Sequence, residues 1–502
     1  MHQVDLGGKW SVRKAGTIET YAAQVPGNIH HDLLRAKKLA DPYQRDNESA
    51  AQWVGEADWI YSREITLPPS FLKHDRVLLR CEGLDTLATL TLNGKPVGET
   101  DNMFRIWEFD VKNLLRKGSN RLEVRFASAV KFAAARASER PKNQPLPQWA
   151  QPGAVSGGMV LRKEPCNFGW DWGPCLVTCG IWRPIQLIAF NTARFSDLHI
   201  SQDHSRKDRV TLTLKAATET TGQPAPLRVK VAVAFQNKKP LTREVVLKRG
   251  KAVAELEIRN PQLWWPNGMG PHPLYDVTLE LLTADGERLD ATSRRIGLRT
   301  LKLDRHPDKW GESFQFVVNG VPFFAKGANW IPGDAILARM TRADYERLIS
   351  DAAAANMNML RAWGGGIYED NAFFDICDRL GICVWQDFMF ACSTYPTFDT
   401  RFMASVQAEV EDNIRRLRHH PSLALWCGNN ELEQGLVSEK WYHAQTWKKW
   451  TMSWRDYARL FDRLLPETIR RLDPERDYWP GSPHTPPPYD RNDFNSAKAG
   501  DA

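Results

Sequence analysis

The sequence predicts a multidomain chain: a β-sandwich over 1–192, an immunoglobulin-like β-sandwich over 193–301, and the N-terminal part of a (β/α)8 TIM barrel over 302–502, incomplete at its C-terminus. Three observations carry this reading. Short β-type runs separated by turn signals fill the first part of the chain. A second all-β block of about a hundred residues follows, the size of an immunoglobulin-like sandwich. After residue 302, β-type runs alternate with segments of helical period, the mark of parallel βα units.

In chain order, the first block shows β-type runs at 59–65, 77–80 and 86–92, the last leading into Asn93-Gly94. Asn-Gly after alternating residues is a strong hairpin signal. Runs at 121–126 and 182–190 complete the sandwich pattern, and 127–160, rich in Ala, Pro, Gly and Ser, reads as a long excursion, which is functional or disordered in most compact domains. The second block has runs at 210–214, 227–235, 252–258, 276–282 and 293–298. One large sandwich over 1–300 is the alternative.

In the third block, 323–330 reads as a strand. Thr341 and Asp344 form a capping-box pattern ahead of Tyr345, Leu348, Ile349 and Ala352, which stand at helical spacing. Next come a strand at 357–363, a helix at 371–380, a strand at 382–390 and a helix marked by Met403, Val406, Val410, Ile414 and Leu417, stopped before Pro421. A strand at 422–427, a helix through Tyr457, Leu460, Phe461, Leu464 and Leu465, and a strand at 478–482 follow. Five βα units in this space keep the rhythm of a barrel whose eight units need about 250 residues. The chain is therefore expected to be the front part of a longer protein. An open doubly wound sheet is the rival architecture.

Composition narrows the function. The 67 basic and 60 acidic residues leave a formal charge of +7, and no run of five or six Lys/Arg is present to neutralise a row of phosphates. No nucleic-acid partner is expected. No apolar stretch approaches the roughly 18 residues of a membrane span, and the first ten residues lack the basic and apolar regions of a secretory signal. A cytoplasmic location without membrane association is expected. The eight cysteines form no CxxC pair and have no His at zinc spacing, so free thiols and no metal or cofactor are expected. The 20 Trp outnumber the 11 Tyr. Their flat faces suit the C–H faces of sugar rings, and core packing uses them equally.

In a barrel, chemistry sits at the C-terminal ends of strands. The fourth strand ends in Asn429-Asn430-Glu431, a carboxylate beside amides, as a glycosidase acid/base requires; a helix N-terminal carboxylate is the plainer reading. The second strand ends in Arg361-Ala-Trp363-Gly-Gly-Gly366. Arg361 can pair with a catalytic carboxylate or brace the barrel mouth, and Trp363 can form a sugar platform. The triple Gly lacks the spacing of a phosphate loop. Asp387, closing the third strand, is either an acceptor for sugar hydroxyls or a loop cap. Outside the barrel, Trp170-Asp171-Trp172 places a carboxylate between two aromatic rings, the form of a hydroxyl-binding site or of a buried aromatic turn.

Taken together, these segments resemble the β-mannosidases of glycoside hydrolase family 2. The resemblance runs almost the whole length: 25–34, 168–174 (Phe-Gly-Trp-Asp-Trp-Gly-Pro), 180–184, 263–268, 327–332, 359–366 and 426–431. Trp-Asp-Trp-Gly-Pro is characteristic of the mannosidase branch. The resemblance implies a sugar-binding-like jelly-roll as the first sandwich, and a retaining exo-hydrolase acting on terminal β-D-mannose of an oligosaccharide or glycan. It implies Glu431 as acid/base, Asn430 on the 2-hydroxyl, and Trp170, Asp171 and Trp172 gripping the non-reducing mannose. Arg361, Trp363 and Asp387 match subsite positions.

A retaining mechanism also needs a second carboxylate about 5–5.5 Å from the first. In the family it closes a later strand, past the last residue here, and Glu433, two residues from Glu431, is expected to point elsewhere. The 502 residues are thus expected to be inactive alone. A β-galactosidase or β-glucuronidase on the same scaffold, a non-catalytic sugar-binding relic and an interaction protein using an open barrel edge are the alternatives. Oligomeric state and aglycone stay open.

Overall fold

The computed structural model describes residues 1–138, 155, 157–222, 226–437, 452–493, 496 and 498–501. The first 190 residues build two facing antiparallel sheets. One has six strands in the order Thr20–Val25, Gly8–Lys14, Trp59–Leu67, Gly118–Phe126, Ala88–Leu92, Lys95–Thr100. The other has four, His2–Asp5, Ile185–Phe190, Arg76–Cys81 and Trp107–Asp110. Between them lies a core that includes Trp10, Tyr61, Leu79, Val124 and Leu187. Asn93 and Gly94 both take positive φ, 54° and 76°, closing the Leu92/Lys95 hairpin as its Asn-Gly pair predicts. The excursion expected over 127–160 opens as the helix Ala129–Ser138; residues 139–154 and 156 lie outside the described residues.

A second sheet pair follows with its own core of residues such as Leu212, Leu214, Val231 and Val277. Its strands are Ala193–Arg206, Arg209–Thr220 and Lys251–Arg259 against Leu241–Val246, Arg228–Ala234, Tyr275–Leu282 and Arg288–Ile296. Lys251–Arg259 alternates strictly between exposed and buried, which made it legible. Leu241–Val246 escapes sequence reading because it is an edge strand with no side chain fully buried.

The third region is a five-stranded, all-parallel sheet in chain order: β1 (Gly327–Trp330), β2 (Met359–Ala362), β3 (Cys383–Asp387), β4 (Leu423–Cys427) and β5 (Asp477–Trp479). The order lacks the reversal that defines a doubly wound sheet. The intervening helices are α1 (Arg342–Ala354), α2 (Asn371–Leu380) and α3 (Thr400–Leu417), with α4 (Leu432–Val437) after β4. Thr341 accepts from Asp344 N and Asp344 answers on Thr341 N, the predicted capping box. Val406, Val410, Ile414 and Leu417 of α3 are wholly buried, each contributing about 1.5–3 kcal/mol of apolar burial.

Two elements depart from expectation. The strand expected over 323–330 is two strands, Val321–Phe323 in a small antiparallel sheet and β1 in the parallel one. Asn358 makes the break: its amide oxygen accepts from Lys326 N (2.8 Å) and its nitrogen donates to Phe324 O (3.0 Å), redirecting the backbone between sheets. The helix expected through 457–465 is a short helix Trp454–Tyr457, a π-helical stretch Ala458–Leu464 and a helix Leu465–Leu472. Pro466 lacks an N–H and crowds the preceding turn, and the wider π turn accommodates it.

Candidate active site

The C-terminal ends of β2, β3 and β4 converge, and the parallel pairing continues past them. Asn430 bridges to Ala391 on one side and Ser482 on the other. Glu431 N donates to Ser482 O (3.0 Å) and Cys392 N to Asn430 O (2.9 Å). The Gly triplet after β2 is required by close approach: a Cβ on Gly365 would lie 1.8 Å from the Trp363 ring.

At the centre, Asp387 accepts from Arg361 Nε (3.2 Å) and Nη2 (2.8 Å), from Gly364 N (3.0 Å) and from Trp385 Nε1 (3.0 Å). It is fully buried. Burial pushes its carboxyl up and Arg361 opposes that most strongly; with four donors on two oxygens it stands as a carboxylate. Both of its oxygens accept from groups inside the protein. Its work is to orient Arg361, whose Nη2 also donates to Asn430 Oδ1 (2.9 Å) and whose Nη1 reaches Asn329 Oδ1 (3.3 Å).

Glu431 stands just past β4 with φ at +63°, a left-handed conformation that costs an L-residue about 1–2 kcal/mol. At the N-terminus of α4, Leu432 N donates to Asn429 Oδ1 (3.1 Å), and Asn429 Nδ2 donates to Tyr457 OH (3.0 Å) and Pro480 O (2.8 Å). Glu431 Oε2 accepts from Cys392 Sγ (3.1 Å). Burial raises its pKa above the ordinary carboxylate value, opposed by the Cys392 hydrogen bond and the Arg361 charge and assisted by Asp171. The result is a partly buried carboxyl whose pKa lies above that of an ordinary Glu.

Glu433 points elsewhere, as expected. Wholly buried, it accepts from Arg491 Nη2 (2.6 Å) and pairs with His484 Nδ1 (2.9 Å).

The loop carrying Trp170-Asp171-Trp172 reaches this cluster from the first sandwich. Trp170 and Gly173 bridge, leaving Asp171 and Trp172 at an exposed tip. Both tryptophans set their rings at 75° to Trp363, at 4.8 and 5.6 Å. Trp363 is 8% exposed and Trp172 41%. Trp363 is the seat on which the two loop rings rest, and Trp172 is the more open of the rings.

Three consecutive buried ionisable residues anchor the loop. Arg162 pairs bidentately with Glu409 of α3 (2.7 and 2.6 Å), which also accepts from Asn102 (2.9 Å) and Tyr368 (2.9 Å). Lys163 reaches both oxygens of Asp85 at 2.6 Å. Glu164, pushed up to about 8 by burial, accepts from Asn167 Nδ2 (2.6 Å) and Cys166 Sγ (3.3 Å). Cys166 N donates to Gly365 O (2.9 Å), joining the loop to the Gly triplet. Sequence reading missed Cys392 and this ionisable run; their one signal is position, beside a strand end or directly before the Trp-Asp-Trp motif.

Two other features lie apart from the cluster. A cleft of about 1010 Å³ runs between the sandwiches and α3, lined by residues such as Arg80, Glu108, Arg194 and Glu219 that neutralise one another. Asp375, Asp378 and His420 come within metal-ligating distance. Asp378 is occupied by His420 Nδ1 (2.6 Å) and Ser422 N (3.0 Å), a brace at the start of β4.

The chain matches two family models, the glycosyl hydrolase 2 galactose-binding domain-like model over 10–183 and the glycosyl hydrolases family 2 model over 193–299. Beta-mannosidase B of Emericella nidulans is 36% identical over 493 residues, spanning 95% of this chain and 57% of the relative. That of Aspergillus niger is 37% identical over 467 residues, spanning 91% and 54%. The β-D-mannosidase structure from Dictyoglomus thermophilum superposes with a TM-score of 0.90 at 40% identity, over 100% of this chain and 59% of its own. An exo-chitosanase from Amycolatopsis orientalis, 18% identical with a TM-score of 0.72 over 97% and 54%, shares the fold alone. The chain thus spans a little over half the length of the relatives it matches.

Proposed function

The chain belongs to glycoside hydrolase family 2, and on that premise we propose that it is the front part of a retaining exo-β-mannosidase. The observation that carries the proposal is the meeting of Glu431, a carboxyl whose pKa burial raises, with the Trp170-Asp171-Trp172 loop at the ends of β2, β3 and β4. In this reading the parallel sheet is the first five strands of a (β/α)8 barrel. Glu431 protonates the glycosidic oxygen as the bond to the leaving group breaks. A second carboxylate, supplied by chain beyond residue 502, attacks the anomeric carbon and forms a covalent glycosyl-enzyme; Glu431 then takes a proton from the water that hydrolyses it.

Asn430 keeps one amide hydrogen and one lone pair beyond its bonds to Arg361 and Cys392, enough for a sugar hydroxyl. Asp171 and the open face of Trp172 close one end of the cleft, which admits a terminal mannose and excludes a chain passing through. No cofactor or metal enters this chemistry.

The test is a panel of aryl β-mannosides, β-glucosaminides, β-galactosides and β-glucuronides, offered to the 502-residue chain and to the protein extended to the length of its relatives. Turnover of the β-mannoside by the extended protein alone is expected. Preference for another glycoside overturns the substrate, and turnover by the 502-residue chain that Glu431→Gln abolishes overturns the absent second carboxylate.

A further inference from the structure

Cys392 has no role in the chemistry above, yet it touches both residues that perform it. It follows β3 closely, is 5% exposed and holds a left-handed backbone at φ +44°. Its Sγ lies 3.1 Å from Glu431 Oε2 and 3.3 Å from Asn430 Nδ2.

The polarity of each link is forced. Arg361 has donors only, so the oxygen it meets on Asn430 is Oδ1 and the amide nitrogen must face Cys392. That nitrogen is a donor, so Cys392 accepts from it and directs its own single hydrogen to Glu431 Oε2. The chain of donation runs Arg361 to Asn430 to Cys392 to Glu431, with Arg361 held by Asp387.

From this geometry we infer that Cys392 is a positioning residue that occupies Glu431 Oε2 with its S–H and so confines the acid's proton to Oε1. Cys392 keeps its proton throughout and breaks no bond. The inference rests on the reading of Glu431 as the general acid. Burial holds the Cys392 thiol well above its ordinary value, so it stays a donor across the working pH range. The groups acting on Glu431 are Cys392 after β3, Arg361 of β2 and Asp171 of the first sandwich's loop; the thiol and Arg361 favour the carboxylate, and Asp171 the acid.

The experiment is an infrared titration of the carboxyl stretch on the purified 502-residue chain, with each protein referenced to its own Glu431→Gln counterpart. Removing the donor in Cys392→Ala is expected to move the Glu431 midpoint upward by about half a pH unit. Cys392→Ser, which keeps a donor of similar size, is expected to stay at or below the original midpoint, and it carries the test if the Ala variant does not fold. An unmoved midpoint in Cys392→Ala, or an equal upward shift in both variants, overturns the inference and leaves the thiol as packing. The readout needs no turnover, so failure of the mannoside panel and failure of the titration are separate results.

Discussion

At the scale of the residue, Glu431 combines a strained backbone with a partly desolvated carboxyl. A general acid is worth about 10²–10⁴ in rate where the leaving group needs a proton. Glu431→Gln in the extended protein is therefore expected to lower kcat/KM by that factor on an alkyl or sugar aglycone, and far less on a dinitrophenyl mannoside, whose leaving group needs none. Steady-state kinetics on the two substrate classes checks this; equal losses on both would remove Glu431 from the acid role. The sign of the pH dependence follows from the raised pKa. The acid is protonated further up the pH scale than an ordinary Glu, and the bond-breaking step slows as pH rises through its value.

At the scale of the element, the loop from Gly157 to Cys175 is set by what it buries. Glu164 is wholly inside, near Asp85 and Glu369 as well as Lys163, and titrates near 8 against 4.5 when unfolded. Because the folded form binds the proton more tightly, its contribution to stability is complete below about 4.5 and is lost as pH climbs through about 8. Glu164→Gln, a mimic of the protonated acid, is expected to flatten the fall in Tm between pH 5 and pH 8 that the unchanged protein shows. Calorimetric scans at the two pH values measure it, and parallel falls in both proteins would assign the loss to other groups. The flanking β elements were legible because their turns and alternation are local. The loop was legible only as a motif, since nothing in Arg162-Lys163-Glu164 distinguishes three buried ionisable residues from a solvated run.

At the scale of the whole molecule, ion pairs and backbone contacts stitch the sandwiches to the parallel sheet. Arg162 and Glu409 join the first sandwich to α3. Arg299 donates to Pro421 O and Leu423 O at the foot of β4, and Arg418 reaches Asp197 and Leu198 O of the second sandwich. Breaking a buried pair from one side costs about 3–5 kcal/mol because the remaining charge is stranded. Arg162→Ala is expected to destabilise the chain by about that much in urea unfolding. It is also expected to loosen the Trp170–Trp172 tip, seen as red-shifted Trp emission. A loss below about 1 kcal/mol would show that the existing donors Asn102 and Tyr368 satisfy Glu409 without Arg162.

The sequence by itself determined the two sandwiches and the order of the βα units, and it singled out Glu431, Asn430 and the Trp-Asp-Trp loop as candidates. Period-two and helical spacing, Asn-Gly and capping signals, and strand-end position are all local patterns. Tertiary structure alone decided what each side chain is free to do. Asp387 and Trp363 stand out in one dimension only as strand-end residues, and the partners that hold them, Arg361, Gly364, Trp170 and Trp172, come from other parts of the chain. Cys392 looks like any core thiol until the end of β3 meets the end of β4. Desolvation and hydrogen-bond polarity depend on neighbours distant in sequence, so the fold creates them and no local pattern carries them.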